Sequence, residues 1–166
     1  MTKIRGFSYL LAATAVFSGT GNAAEEGERH LPHNHISLIA GLAYEEAEDG
    51  HHEDGVVLGV DYIRQFSKKW GWGVTLETEV FGNEQTRNGV FAIPLSYFVT
   101  ERLRLFAAPG IEFRGRRHPD EGMFRIGAGY EFKLDKLLTL SPEAQVDFIA
   151  SGTKVYVVAI ALGYGF

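Results

Sequence analysis

His35 and Ser37 form a His-x-Ser pair, a combination that can place a base beside a serine nucleophile. On a strand, positions two apart share one face, and a serine nucleophile needs its base within hydrogen-bonding distance. The pair stands at the start of the first predicted strand, on the face that the wider pattern assigns to the interior. We therefore interpret it as part of a polar inner wall and predict no catalytic residue.

Histidines are also grouped in a way that could hold a metal ion. His30, His33 and His35 form an H-x-x-H-x-H stretch, and His51 and His52 are followed directly by two acidic residues. Imidazole and carboxylate together bind zinc or copper. No helix or strand fixes the geometry of either group, so we predict neither a metal site nor a cofactor. The candidates for weak, exchangeable binding are His30, His33, His51 and His52.

A larger set of charged residues alternates with apolar ones along the chain. This predicted lumen charge network contains Asp61, Glu77, Glu79, Arg104, Glu112, Arg125, Glu131, Lys133, Glu143 and Asp147. Rings of charge can select ions in a pore, whereas buried charges of opposite sign pair with one another. The elements that position these residues decide between the two readings.

From His35 onward the chain reads as eight segments with period-two alternation, separated by turn residues. The predicted strands are 35–45, 55–66, 70–81, 89–99, 103–114, 123–133, 138–149 and 154–166. The connections alternate between a tight set, 67–69, 100–102 and 134–137, and a mostly longer set, 46–54, 82–88, 115–122 and 150–153. This alternation is typical of up-and-down transmembrane barrels, with the tight turns on the periplasmic side.

Apart from Arg64 and Lys154 near the ends of their segments, one face of these segments carries no charged residue, while the other carries glycine, alanine and the charges. A soluble lipocalin-like barrel would turn the apolar face inward. An eight-stranded barrel is barely wide enough for its own side chains, so the bulky apolar set must face lipid instead. We predict an all-β, eight-stranded antiparallel up-and-down transmembrane β-barrel over residues 35–166. Its narrow bore favours a lumen plugged by ion pairs.

Aromatic residues on the apolar face concentrate at strand ends, as membrane interfaces select. The predicted outer girdle is Tyr44, Phe91, Phe113, Phe124, Phe148 and Tyr156. The predicted inner girdle is Tyr62, Trp70, Trp72, Tyr97, Tyr130 and Phe132, with Tyr164 and Phe166 beside it.

The first residues have the features of an export signal. Lys3 and Arg5 precede an apolar stretch over 7–17, which is too short to cross a bilayer as a helix. Gly21-Asn22-Ala23 fits the small-x-small rule, so residues 1–23 are a predicted signal peptide, cleaved after Ala23 or Ala24. The alternative is a retained anchor. Residues 24–34 are a predicted flexible periplasmic tail. The rest suffices for one domain, and a net charge of −5 argues against nucleic-acid binding.

The last segment carries Val158, Ile160, Leu162, Tyr164 and Phe166 on one face. This resembles the terminal signature of bacterial outer-membrane β-barrels, which their assembly machinery recognises. The resemblance implies the small eight-stranded group, with porin-like anchors, adhesion and serum-resistance proteins and some lipid-modifying enzymes. It implies the Gram-negative outer membrane and the assembly machinery as a partner, but no activity. The His-Ser pair is similar to that of lipid A deacylases, which add an acidic partner.

Charges in the longer loops predict contact with lipopolysaccharide at the outer rim, directly or through divalent cations. The alternative is that these loops are simply solvated. The acidic set is Glu45, Glu46, Glu48, Asp49, Glu53 and Asp54, and the basic set is Arg114, Arg116, Arg117 and His118. We predict a structural or surface-interaction protein of the envelope, not an enzyme. The alternatives are a narrow low-conductance channel and, third, a lipid-modifying enzyme.

The sharpest prediction concerns Arg125. Placing Phe113 and Phe124 side by side across the third long loop sets Glu112 opposite Arg125. A tight hairpin around 134–137 then brings Asp147 to the other side of the guanidinium, which can serve two carboxylates at once. The sequence thus predicts a Glu112–Arg125–Asp147 triad.

Overall fold

The computed structural model describes residues 34–48, 50–82, 86–114 and 119–166, which form eight antiparallel strands. These are β1 (Asn34–Glu46), β2 (His52–Gln65), β3 (Trp70–Phe81), β4 (Thr86–Ala92 with Leu95–Phe98), β5 (Leu103–Phe113), β6 (Glu121–Tyr130 with Phe132–Lys133), β7 (Leu138–Ile149) and β8 (Lys154–Gly165). Among these residues, no helix is long and apolar enough to cross a membrane. The predicted signal peptide and nearly all of the predicted tail lie outside the described residues.

The sheet closes on itself through β1 and β8. Their register runs from His35 opposite Gly165 to Glu46 opposite Lys154. Beyond it, Asn34 and Phe166 exchange two backbone hydrogen bonds of 3.1 and 2.9 Å. Each strand therefore has a partner on both sides. A closed barrel leaves no row of backbone N–H and C=O groups unpaired at an edge, as a lipid environment requires.

Two strands are interrupted where the sequence predicts continuous ones. In β4 the break falls at Ile93 and Pro94, because proline has no N–H to donate to the ladder. The wall still continues there, since the Pro94 carbonyl accepts from the Gly73 N–H at 2.9 Å. In β6 the break is Glu131, whose N–H donates to the Arg102 carbonyl at 2.7 Å.

The connections alternate as predicted, but the first long loop is shorter than expected. Glu46 pairs with His52 and Glu45 with Glu53, so only residues 47–51 join β1 to β2. Several acidic residues assigned to this loop thus lie on strands. The tight turns at the other end each close with a backbone bond, for example from the Leu134 N–H to the Leu138 carbonyl at 2.9 Å.

The uncharged face is the outer surface of the barrel. None of its residues is buried, and Leu42 and Val158 are 68% and 66% exposed. Exposing such a large apolar surface to water would be strongly unfavourable. The medium around the barrel is therefore hydrocarbon. The predicted girdle residues all lie on this surface. Several make ring contacts, such as Trp70 with Tyr97 at 4.9 Å and Tyr44 with Tyr156 at 6.3 Å between centroids.

Candidate functional site: the lumen of the barrel

The lumen has an apolar wall that the predicted charge network did not include. The expected filling was glycine, alanine and charge, yet bulky apolar side chains also point inward. They include Ile39, Val57, Phe81, Val90, Met123, Val155 and Val157, all buried. These residues come from strand positions on the same face as the charges. The charged groups are therefore confined between packed side chains, where unpaired charge is costly.

The middle of the lumen is occupied by Arg125 on β6. Its Nε and Nη2 donate to both carboxylate oxygens of Asp147 on β7, each at 2.7 Å. Nη2 also donates to Glu77 Oε2 on β3 at 2.6 Å. With its amide oxygen turned inward, Gln145 accepts from Nη1 and Nη2 at 3.2 and 3.3 Å. The five donors of the guanidinium thus serve three different side chains.

A second arginine forms a similar centre nearer the tight-turn end. Arg104 on β5 donates to Asp61 on β2 at 3.3 Å and to Glu143 on β7 at 2.5 Å. Asp61 also accepts from the Thr75 hydroxyl at 2.8 Å. The Arg104 guanidinium lies 4.9 Å from the Phe106 ring centroid, in a cation–π contact. This arginine ties three strands together.

Glu112 does not contact Arg125, so one arm of the predicted triad is wrong. Across the third long loop Arg125 lies opposite Ala108, and Glu112 lies opposite Glu121. Glu112 instead accepts from Arg114 Nε at 2.8 Å and from the Asn88 amide at 2.7 Å. The upper lumen therefore has its own ion pair, separate from that of Arg125.

Glu79 is the one buried acid of the predicted network that has no ion pair among the described residues. It is 1% exposed, and its Oε1 has no hydrogen-bond partner. Directly opposite on β4 lies Asn88, whose Oδ1 also lacks a partner because its amide nitrogen faces Glu112. Two buried acceptor atoms on opposed residues therefore lack a hydrogen-bond donor, and this lowers the free energy of unfolding.

Two members of the predicted network lie near the tight-turn end of the barrel and not in the centre of the lumen. Glu131 is half-buried in the break of β6. Lys133 is exposed, and its ammonium contacts Glu101, itself 70% exposed, at 3.7 Å. Screened by solvent, this pair contributes little. Sequence reasoning also missed uncharged members of the network, namely Thr75, Asn88, Thr139 and Gln145, although alternation places each of them on the inner face.

Very little free space is left between the two arginine centres. The cavity lined by Asp61, Glu77, Arg104, Arg125 and Glu143 has a volume of about 10 Å³. That is about the room needed for one water molecule. This cavity has no room for a file of water molecules.

The His-Ser pair faces the lumen near the tight-turn end of the barrel. Nε2 of His35 hydrogen bonds to the Thr139 hydroxyl at 3.0 Å, and Ser37 is buried opposite Asp61. Neither side chain is open to the surrounding lipid. The arrangement ties β1 to β7 across the β8 strand and does not resemble an accessible nucleophile.

The predicted metal candidates are divided between two parts of the chain. His30 and His33 lie outside the described residues. His51 and His52 are exposed on the loop side, where His52 stacks on the Tyr44 ring at 5.5 Å. Over 34–48, 50–82, 86–114 and 119–166, no three His, Cys, Asp or Glu residues converge on a possible metal position.

Some of the charged residues that the sequence assigned to the outer rim lie elsewhere in the structure. Arg114 turns into the lumen, where it contacts Glu112 and, at 3.8 Å, Glu121. Arg116, Arg117, His118 and Asp49 lie outside the described residues. Glu48 and Asp54 are exposed at the loop end. The residues predicted as an assembly signal, Val158 to Phe166 at alternate positions, are exposed on the outer surface of β8 and just beyond it.

No family model matches the chain, and no curated protein matches its sequence. Solved structures do match its fold. Neisserial surface protein A has a TM-score of 0.66 at 10% identity, covering 83% of this chain and 100% of that one. Ail of Yersinia pestis has a TM-score of 0.57 at 15% sequence identity, covering 82% of this chain and 99% of that one. OprG of Pseudomonas aeruginosa has a TM-score of 0.53 at 14% sequence identity, covering 82% of this chain and 97% of that one. The chain thus has the fold of the small eight-stranded outer-membrane β-barrels of Gram-negative bacteria.

Proposed function

We propose that this chain is an outer-membrane barrel with a closed lumen and no enzymatic activity, serving a structural or surface-interaction role in the cell envelope. The observation that carries the proposal is the pair of arginine centres across the bore. Arg125 links β6 to β3 and β7, and Arg104 links β5 to β2 and β7. Each arginine therefore joins its own strand to one on the far side of an eight-stranded ring.

This arrangement supports a closed lumen over a lumen that conducts ions. A pore lined with charge needs free bore beside its charged groups, and here the charges contact one another with about 10 Å³ between them. Breaking such a buried pair leaves an uncompensated charge, so the centres do not open by thermal motion of one side chain. The alternative of a narrow channel has no comparable support.

Planar-bilayer recording of the purified, full-length protein tests closure. We expect no stepwise conductance, because both arginine centres lie across the lumen of the described barrel. Protein that is folded by circular dichroism serves as the sample, with detergent alone as the blank. Reproducible single-channel steps from folded protein would establish the channel alternative instead.

The absence of enzymatic activity has its own test. His35 is held by Thr139, and Ser37 is buried, so neither is positioned to act on a lipid. Incubation of the protein with lipid A should leave the mass spectrum of the lipid unchanged. A product lacking an acyl chain would show that the chain is a lipid-modifying enzyme.

The surface role rests on the loop end of the barrel. Exposed acids such as Glu48 and Asp54 can contact lipopolysaccharide phosphates through divalent cations. Among the structural neighbours, Ail has been solved in complex with the heparin analogue sucrose octasulfate, at a TM-score of 0.50 and 16% identity. A polyanionic partner at the rim is thus compatible with this fold. Similarly, the exposed face of β8 supports recognition by the barrel assembly machinery.

A further inference from the structure

The outer surface of the barrel has a groove of about 540 Å³ over strands β2 to β5. One cross-strand row explains its shape. In that row Leu58 lies opposite Thr78, Thr78 opposite Gly89, and Gly89 opposite Phe113. Two small residues between two large ones leave a notch in the apolar surface. Groups lining an unfilled notch lose dispersion contacts on one side.

Arg87 lies just above this notch. It is the next residue on the same face of β4 toward the loop end, about 7 Å along the strand from Gly89. Its side chain is exposed beside the apolar Val80, and it forms no ion pair among the described residues. Arg104, Arg114 and Arg125, in contrast, all have carboxylate partners. Arg87 thus lies on the lipid-facing surface without a carboxylate partner in the described part of the chain.

We propose that this groove is a binding site for a lipid A molecule, with an acyl chain in the notch and a lipid phosphate on Arg87. A ligand of this groove must fill the apolar notch and also neutralise the Arg87 guanidinium, which lies two residues from Gly89 toward the loop end. A phosphate-bearing glycolipid does both, and a guanidinium binds phosphate with two parallel hydrogen bonds. The inference rests on the proposed surface role and on the predicted orientation of the barrel, in which the loop end lies in the outer leaflet, the leaflet that contains lipid A.

The test is a titration of the detergent-solubilised, full-length protein with diphosphoryl lipid A, read by native mass spectrometry. Arg87→Gln removes the charge, and Gly89→Leu fills the notch. The leucine is tolerated, because a Cβ at Gly89 meets only Phe113 atoms at 3.7 Å, an ordinary contact. Arg87→Gln should bind about tenfold more weakly than the parent protein, the loss expected for one charge-assisted contact. Gly89→Leu should weaken binding by about the same factor, because the leucine side chain occupies the space of the acyl chain.

Matched controls are available at the same surface. Arg64→Gln removes an exposed arginine at the tight-turn end of β2, opposite Trp72 and away from the groove. Gly122→Leu adds the same side chain at an exposed strand glycine whose Cβ would have no heavy atom within 4 Å. Both controls should bind lipid A as the parent protein does.

Four outcomes would overturn the proposal. If all variants bind lipid A as tightly as the parent protein, the groove is not the binding site. If dephosphorylated lipid A binds as tightly as the diphosphoryl form, Arg87 does not bind a phosphate. Equal binding of phosphatidylglycerol would replace lipid A by phospholipid. A cross-linked dimer that Gly89→Leu abolishes would make a second copy of the chain the occupant. Bilayer conductance is independent of all four, so failure here is distinguishable from failure of the closed-lumen proposal.

Discussion

The guanidinium of Arg125 and the carboxylate of Glu77 lie 2.6 Å apart, although 48 positions separate the two residues along the chain. Arg125 is on β6 and Glu77 on β3, which are not neighbours in the sheet. Their side chains are 2% and 1% exposed, so solvent does not screen the pair. The contact therefore joins two walls of the barrel through its interior, beside the small cavity between the two arginine centres.

Arg125→Leu should lower the free energy of unfolding by about 3–5 kcal/mol, because Glu77 and Asp147 would stay buried without their cation. Urea unfolding in detergent micelles, followed by circular dichroism, measures the change. Lys136→Leu, at an exposed turn, is the control and should stay within about 0.5 kcal/mol of the parent. A loss for Arg125→Leu no larger than the control's would contradict the prediction.

Glu79→Gln should stabilise the barrel by about 1 kcal/mol, because the new amide can donate to Asn88 Oδ1 and removes an unpaired buried charge. The same urea experiment measures it. Glu77→Gln is the matched comparison and should destabilise, since Glu77 accepts from Arg125. If both substitutions cost the same, Glu79 has an ionic partner and the prediction is wrong.

Cysteine labelling should establish the orientation of the barrel, since the chain has no native cysteine. His52→Cys lies at the loop end and Lys69→Cys in a tight turn, and both positions are exposed. On whole cells a membrane-impermeant maleimide should react at position 52 and not at 69. Both variants should react after detergent extraction, which controls for accessibility. The reverse pattern on cells would invert the topology.

Gly41→Ala should destabilise the barrel by about 1–3 kcal/mol. A Cβ there would lie 2.6 Å from both Ala159 Cβ and the Val158 carbonyl oxygen, so β8 must shift at the seam with β1. Gly122→Ala, with open space at its Cβ, should have little effect. The temperature at which the folded band disappears on a detergent gel gives the comparison. Equal temperatures for the two variants would mean that the seam accommodates the methyl group.

Strand positions and faces follow from the sequence alone. Residues 70–81 and 138–149 are predicted as strands and are found as Trp70–Phe81 and Leu138–Ile149. The outer surface is the predicted uncharged face. Both results come from period-two alternation, which is local: each residue's face is determined by its neighbours and by a bore too narrow for the bulky set. Where the pattern failed, as at Pro94, a missing donor interrupted the ladder without changing the faces.

Register depends on the length of the connection. The tight turn over 134–137 leaves little freedom, and Asp147 lies opposite Arg125 as the sequence predicts. The seven-residue connection before β6 does not constrain register in this way. There Phe124 lies opposite Pro109, and Phe113 lies opposite Gly89 on the other side of β5. A slip by an even number of residues keeps every side chain on its face, so alternation cannot detect it.

Contacts across the lumen were decided by the tertiary structure alone. Glu77 replaces Glu112 as the partner of Arg125 because the closed, staggered sheet brings β3 and β6 to the same level of the bore. The notch beside Arg87 likewise needs four strands in register before Leu58, Thr78, Gly89 and Phe113 form one row. The sequence determines which side chains face lumen or lipid, since that is a local property. Which of them meet depends on how the sheet closes, and no segment of the chain encodes that by itself.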